Sequence, residues 1–171
     1  MKHLFILRHG KAAAKGTKGG DHGRPLTGRG RRQSQAVAAH LAERRAAGAV
    51  VPDLVLTSSA ARARATAEPV HGALSASSPL EIEDDLYGAD ADDVVARLRV
   101  LPDDTASVMV VGHNPTLQEL ALLLVDVDDA GRGRLDDFPT AALAVVALAV
   151  DHWTSVAPGT GRLEELFVPE R

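Results

Sequence analysis

The sequence predicts an α/β domain: a mostly parallel sheet with helices on both faces. Three observations predict it. Short apolar runs alternate with helix-forming stretches, the order expected of strands joined by crossover helices. Three of those runs stop abruptly at polar residues, in Arg8-His9-Gly10, Thr57-Ser58-Ser59 and Gly112-His113-Asn114. The chain is also 45% hydrophobic but only 3% aromatic, so Ala, Val and Leu must fill its core. At 171 residues it can bury one full core. No repeat or linker interrupts it, and residues 1–171 read as a single domain.

The elements follow in order. Residues 3–8 read as a buried strand, and the Gly- and Lys-rich stretch 11–25 as a loop. Thr27 is placed to cap a helix that runs to about residue 47, with Val37 and Leu41 on one face and Gly48 as its stop. Residues 54–57 form a second strand. Ser58 or Ser59 is expected to cap the next helix, and Pro69 to end or kink it. A short strand lies near residues 80–82, and a helix spans about 92–101. Residues 107–111 form a third clear strand. Pro115 suits the first position of a helix to about residue 125. An acidic loop covers 126–137, a β-rich stretch covers 140–150, and a last short strand covers 162–168.

Composition removes several function classes. The net charge of −4 argues against a general nucleic-acid coat. The basic run Arg29-Gly30-Arg31-Arg32 reads as the exposed start of a helix. There is no cysteine, hence no disulfide, thiolate metal site or cysteine nucleophile. No apolar window approaches a membrane span and the N-terminus does not read as a signal peptide, so a cytoplasmic protein is the expectation. Neither GxxxxGK[ST] nor GxSxG occurs. Asp21, His22, His9 and His113 lack the spacing of a metal motif, and no metal or other cofactor is expected.

In an open parallel sheet the carboxyl ends of the strands share one edge, and ligands bind there. Arg8, His9, Arg62 and His113 can therefore meet at one rim, beside the starts of two helices. Arginine's planar fork matches phosphate oxygens, and its charge keeps a neighbouring imidazole neutral. A neutral imidazole is what nucleophilic attack on phosphorus requires. Arg64, two residues from Arg62, falls on a different helix face and is expected in solvent.

These residues sit in a longer series. RHG after the first strand is followed by RPLTGRG (24–30), TSSAARARAT (57–66), DDLYGAD (84–90), VGHNPTLQELA (111–121) and FPTAALAVV (138–146). In that order they resemble the histidine phosphatase (phosphoglycerate mutase-like) superfamily, in the short branch typified by SixA phosphohistidine phosphatase. The resemblance implies a three-layer α/β/α fold whose mostly parallel sheet includes at least one antiparallel strand. It implies His9 as nucleophile, Arg8 and Arg62 as phosphate ligands, and His113 as a second histidine on the phosphate. Arg24 matches a further arginine near the pocket. Larger members supply a carboxylic acid to the leaving group; here Glu83, Asp84 or Asp85 could fill that role, or none. A phosphorylated protein side chain, phosphohistidine, is the implied substrate, with a small phosphoester or turnover-free phosphoanion binding as alternatives. The stretch between Arg62's helix and the strand before His113 is short, so a shallow pocket is expected.

Overall fold

The computed structural model describes residues 1–16 and 18–170. The strands are β1 (Lys2–Arg8), β2 (Leu54–Ser58), β3 (Leu80–Glu83), β4 (Ser107–Gly112), β5 (Leu143–Leu148) and β6 (Gly161–Phe167). They form one sheet in the order β3-β2-β4-β1-β5-β6. The pairs β3–β2, β2–β4 and β4–β1 are parallel. β5 runs antiparallel to β1 and β6 antiparallel to β5. Thus the β-rich stretch after residue 140 is the antiparallel part of the sheet.

Alternation along the strands separates two cores. Leu4 and Ile6 of β1 face one side with Val108 and Val110 of β4; Phe5 and Leu7 face the other with Met109 and Val111. Helices α1 (Gly28–Ala46) and α2 (Ala61–Gly72) cover the second side, through Val37, Leu41, Ala63 and Val70. Helices α3 (Ala91–Arg99) and α4 (Thr116–Leu124) cover the first, through Val94, Leu98, Leu117 and Leu120. Central strands buried on both faces read as continuous apolar runs, which is how β1 and β4 appear in the sequence.

The helices lie within about two residues of expectation, with differences at the start of α2 and at Pro115, which is the N-cap of α4 rather than its first residue. Neither Ser58 nor Ser59 caps α2; its N-cap is Ala60, without a side-chain bond. Pro69 lies inside α2, which continues to Gly72. α3 begins at Ala91, because Asp90 is its N-cap in a reciprocal capping box with Asp93. Thr27 does cap α1, accepting from the Gly30 amide at 3.0 Å.

Candidate active site

The site is built at the carboxyl edge of β2, β4 and β1, which are neighbours in the sheet. In register, Arg8 lies opposite Gly112, and Thr57 opposite Val111. The residues just past these ends therefore stand side by side. The His9 amide bonds to the Gly112 carbonyl at 3.0 Å. The His9 carbonyl accepts from Ala141, a non-glycine residue held at φ 59°. Such a conformation costs energy and persists only where its surroundings enforce it.

The turn after His9 is fixed by close backbone approach. A Cβ on Gly10 would lie 2.7 Å from the Gly30 carbonyl oxygen, and one on Gly30 would lie 2.1 Å from that of Lys11. Glycine at both positions lets the start of α1 lie directly against the turn. Thr66 completes the frame: its buried hydroxyl accepts from the Gly10 amide at 2.9 Å and donates to the Arg62 carbonyl at 2.8 Å.

His9 is buried, only 8% exposed. Its Nδ1 is 2.7 Å from the Gly10 carbonyl oxygen. A carbonyl only accepts, so Nδ1 carries the proton and Nε2 keeps its lone pair. Arg62 Nε stands 3.4 Å from that Nε2. His9 and His113 have ring centroids 5.3 Å apart. Ser58 Oγ lies 2.8 Å from His113 Nε2. Arg8 donates to the Phe138 carbonyl at 3.1 Å.

Electrostatics keep both imidazoles neutral. Burial pushes His9 down to about 3, helped by His113, Arg62 and Arg8, against the opposing bond to Gly10. His113 is lowered to about 4, again first by burial and then by Arg62. Desolvation therefore outweighs the arginine charge that the sequence suggested as the cause. Burial also lowers Arg8, while Asp137 opposes the shift. Two buried nitrogens of the cluster, Arg8 Nε and His113 Nδ1, have no partner among the described residues. An unpaired buried nitrogen is costly, so the protein by itself leaves part of this cluster unsatisfied.

Asp21, His22 and Arg24 supply partners that sequence reasoning did not assign. Arg62 donates through Nη1 to the Asp21 carbonyl at 2.8 Å and through Nη2 to its carboxylate at 3.2 Å. Arg24 donates to the same carboxylate at 3.0 Å and to the Ala13 carbonyl at 2.9 Å. The Tyr87 hydroxyl also donates to it. That bond and the two arginines hold the Asp21 carboxyl well below the usual range. His22 Nε2 meets Ser59 Oγ at 2.9 Å, and the His22 carbonyl takes the first amide of α2 at Ala61. Thus His22 engages the start of α2.

Other candidates are placed as follows. Arg24 joins the cluster through Asp21, and Arg64 is exposed. Glu83, Asp84 and Asp85 make no hydrogen bond to the His9 ring, whose partners are Gly10 and Arg62. Arg97 grips Glu83 with bonds of 2.6 and 2.9 Å. Asp84 and Asp85 line a separate depression with Asp93 and Arg97. Tyr87, from the same stretch, does reach the site, its ring edge-on to His22 and His113. Among the described residues, no three His, Cys, Asp or Glu side chains stand together as a metal site. No described helix is long and apolar enough to cross a membrane.

Comparison with known proteins identifies the family and the fold. Residues 4–97 match the Histidine phosphatase superfamily (branch 1). Uncharacterized protein Rv1276c of Mycobacterium tuberculosis is 35% identical over 167 residues, covering 95% of this chain and 99% of that one. The SixA structure from Nakamurella multipartitia superposes with TM-score 0.82 at 27% identity, covering 98% of this chain and 96% of that one. The protein histidine phosphatase SixA complexed with tungstate gives TM-score 0.76 at 30% identity, covering 97% and 96%. The chain therefore belongs to the histidine phosphatase superfamily, branch 1, and is a phosphatase with the SixA-type, phosphoglycerate mutase-like fold.

Proposed function

We propose that the protein is a metal-independent phosphatase that works through a phosphohistidine at His9, with phosphohistidine in proteins as its substrate. One observation carries the mechanism: the Gly10 carbonyl holds the His9 proton on Nδ1, which leaves Nε2 unprotonated beside Arg62. Nε2 attacks phosphorus, a P–N bond to His9 forms, and the bond to the leaving group breaks. Water then attacks the same phosphorus, releasing phosphate and restoring neutral His9. Arg8, Arg62 and His113 surround the transferring group. Fixed guanidinium charge and buried donors stabilise its oxygens throughout both steps.

The departing imidazole of a phosphohistidine leaves readily once protonated by solvent. That suits a site in which Glu83 is bound to Arg97 rather than to the reacting centre. The protein substrate is supported by the likeness to SixA. A panel of phosphohistidine protein and small phosphoesters, ranked by kcat/KM in the presence of EDTA, tests both parts. Higher kcat/KM on phosphohistidine, undiminished by EDTA, supports the reading. A small phosphoester ranking first overturns the substrate, and loss of activity in EDTA overturns the metal-independent mechanism.

A further inference from the structure

We infer that the basic depression beside Arg8, formed by Lys11, Arg29 and Arg32, docks an acidic segment of the phosphorylated protein substrate. The inference rests on the protein-substrate reading above and names which flank of the substrate the enzyme recognises.

Arg8 is shared between the phosphate cluster and an adjoining depression, where Lys11, Arg29, Gln33 and Thr140 are its neighbours. The floor continues past Arg29 and Gln33 to Arg32. Arg8 thus joins the cluster to the first depression, and Arg29 and Gln33 are shared by the two depressions. Lys11, Arg29 and Arg32 are exposed, and among the described residues none of these side chains has an ion-pair partner. Two carboxylates, Asp137 and Glu170, border the run, fewer than the cations that line it.

Two features argue that these cations serve recognition. First, they work against the helix that carries them. Arg29 lies in the first turn of α1, which contains no acidic residue, and Arg31 and Arg32 follow at once. Cations near a helix N-terminus oppose the macrodipole, so helix stability does not account for them. Second, the opposite side of the site has the reverse charge. Beyond β2, Glu83, Asp84 and Asp85 after β3 and Asp93 on α3 line the other depression, with Arg97 its one cation. The reacting centre therefore lies between a basic flank and an acidic one. In a chain of net charge −4 this asymmetry orients an approaching substrate, drawing its acidic side over Arg29 and repelling it from Asp84. The backbone beneath is rigid: Gln33, itself buried, accepts from the Lys11 amide at 2.8 Å and reaches the Thr140 hydroxyl at 3.2 Å.

The test compares two phosphohistidine peptides, one flanked by aspartates and one by alanines, on the wild-type chain and on the double variant Arg29→Glu, Arg32→Glu. Wild type should prefer the acidic peptide by about tenfold in kcat/KM at low salt, fading as salt screens the pairs. The double variant should abolish or reverse that preference. An unchanged preference in the variant, or no preference in wild type, overturns the inference while leaving the phosphohistidine reading standing. Turnover of p-nitrophenyl phosphate but of neither peptide overturns the substrate reading and this inference together.

Discussion

Asp21 and Arg62 are bound edge to edge. The guanidinium gives one nitrogen to the Asp21 carbonyl at 2.8 Å and another to its carboxylate at 3.2 Å. Arg62 Nε points the other way, towards His9. In the proposed mechanism a phosphoryl oxygen and the Asp21 carboxylate compete for the same cation. Asp21→Asn removes one negative charge facing Arg62 and Arg24, so product phosphate should bind about fivefold tighter, the scale of one partly screened unit charge. Product inhibition measures this. Weaker phosphate binding in the variant means that Asp21 positions Arg62 more than it opposes the anion.

The buried imidazoles set a pH dependence of stability. His9 falls to about 3 and His113 to about 4, both from an ordinary value of 6.5. Between those limits the unfolded chain binds more protons than the folded one. Stability is therefore fully present above pH 6.5 and declines as pH drops through the window towards the folded values. The urea midpoint should fall between pH 7.5 and pH 5, and His9→Asn should flatten part of that slope.

Thr66 links the turn after His9 to Arg62. In Thr66→Val the Gly10 amide loses its buried acceptor, and leaving such a group unpaired costs about 1–3 kcal/mol. Lower activity should accompany the lower melting temperature, because the same hydroxyl also holds the Arg62 carbonyl. A stability loss with unchanged kcat shows that Thr66 does not position the site.

Gly30 meets the chain more tightly still. A Cβ there lies 2.1 Å from the Lys11 carbonyl oxygen, which is backbone and cannot swing away. Gly30→Ala should cost about 2–4 kcal/mol, in the range of severe overpacking. Thermal denaturation reads the loss directly.

Glu83→Gln separates a structural carboxylate from a proton donor. Its bonds to Arg97 predict a loss of about 1 kcal/mol in stability and a kcat within about twofold of wild type. A large fall in kcat returns Glu83 to the reacting centre.

Much of the framework was legible in the sequence. The runs at residues 4–7, 54–57 and 107–111 are central strands, and their polar ends do meet on one sheet edge. That is a consequence of parallel topology, which aligns carboxyl ends whatever lies between them. Asp21 was less legible, because it reaches Arg62 across 41 residues from within a Gly-rich loop. Nothing local in KGTKGGDHG dictates that path. Tyr87 was hidden for a similar reason: the acidic residues before it drew attention to carboxylates, while its ring makes the contact. Thr66 carried a readable signal, since it lies four residues after Arg62 on one helix. Gly30 was obscured by the arginines around it, which suggested an exposed helix start. Only the close approach of Lys11 shows why that position must be small.

The most direct test of the central claim is to identify the phosphorylated atom. Protein fed a labelled phosphodonor and rapidly quenched should carry acid-labile, base-stable phosphate on His9, bonded through Nε2, as the Nδ1–Gly10 bond requires. Peptide mapping and ³¹P NMR distinguish the two ring nitrogens. Phosphate on His113, on Nδ1 of His9, or on neither histidine while turnover proceeds contradicts the account.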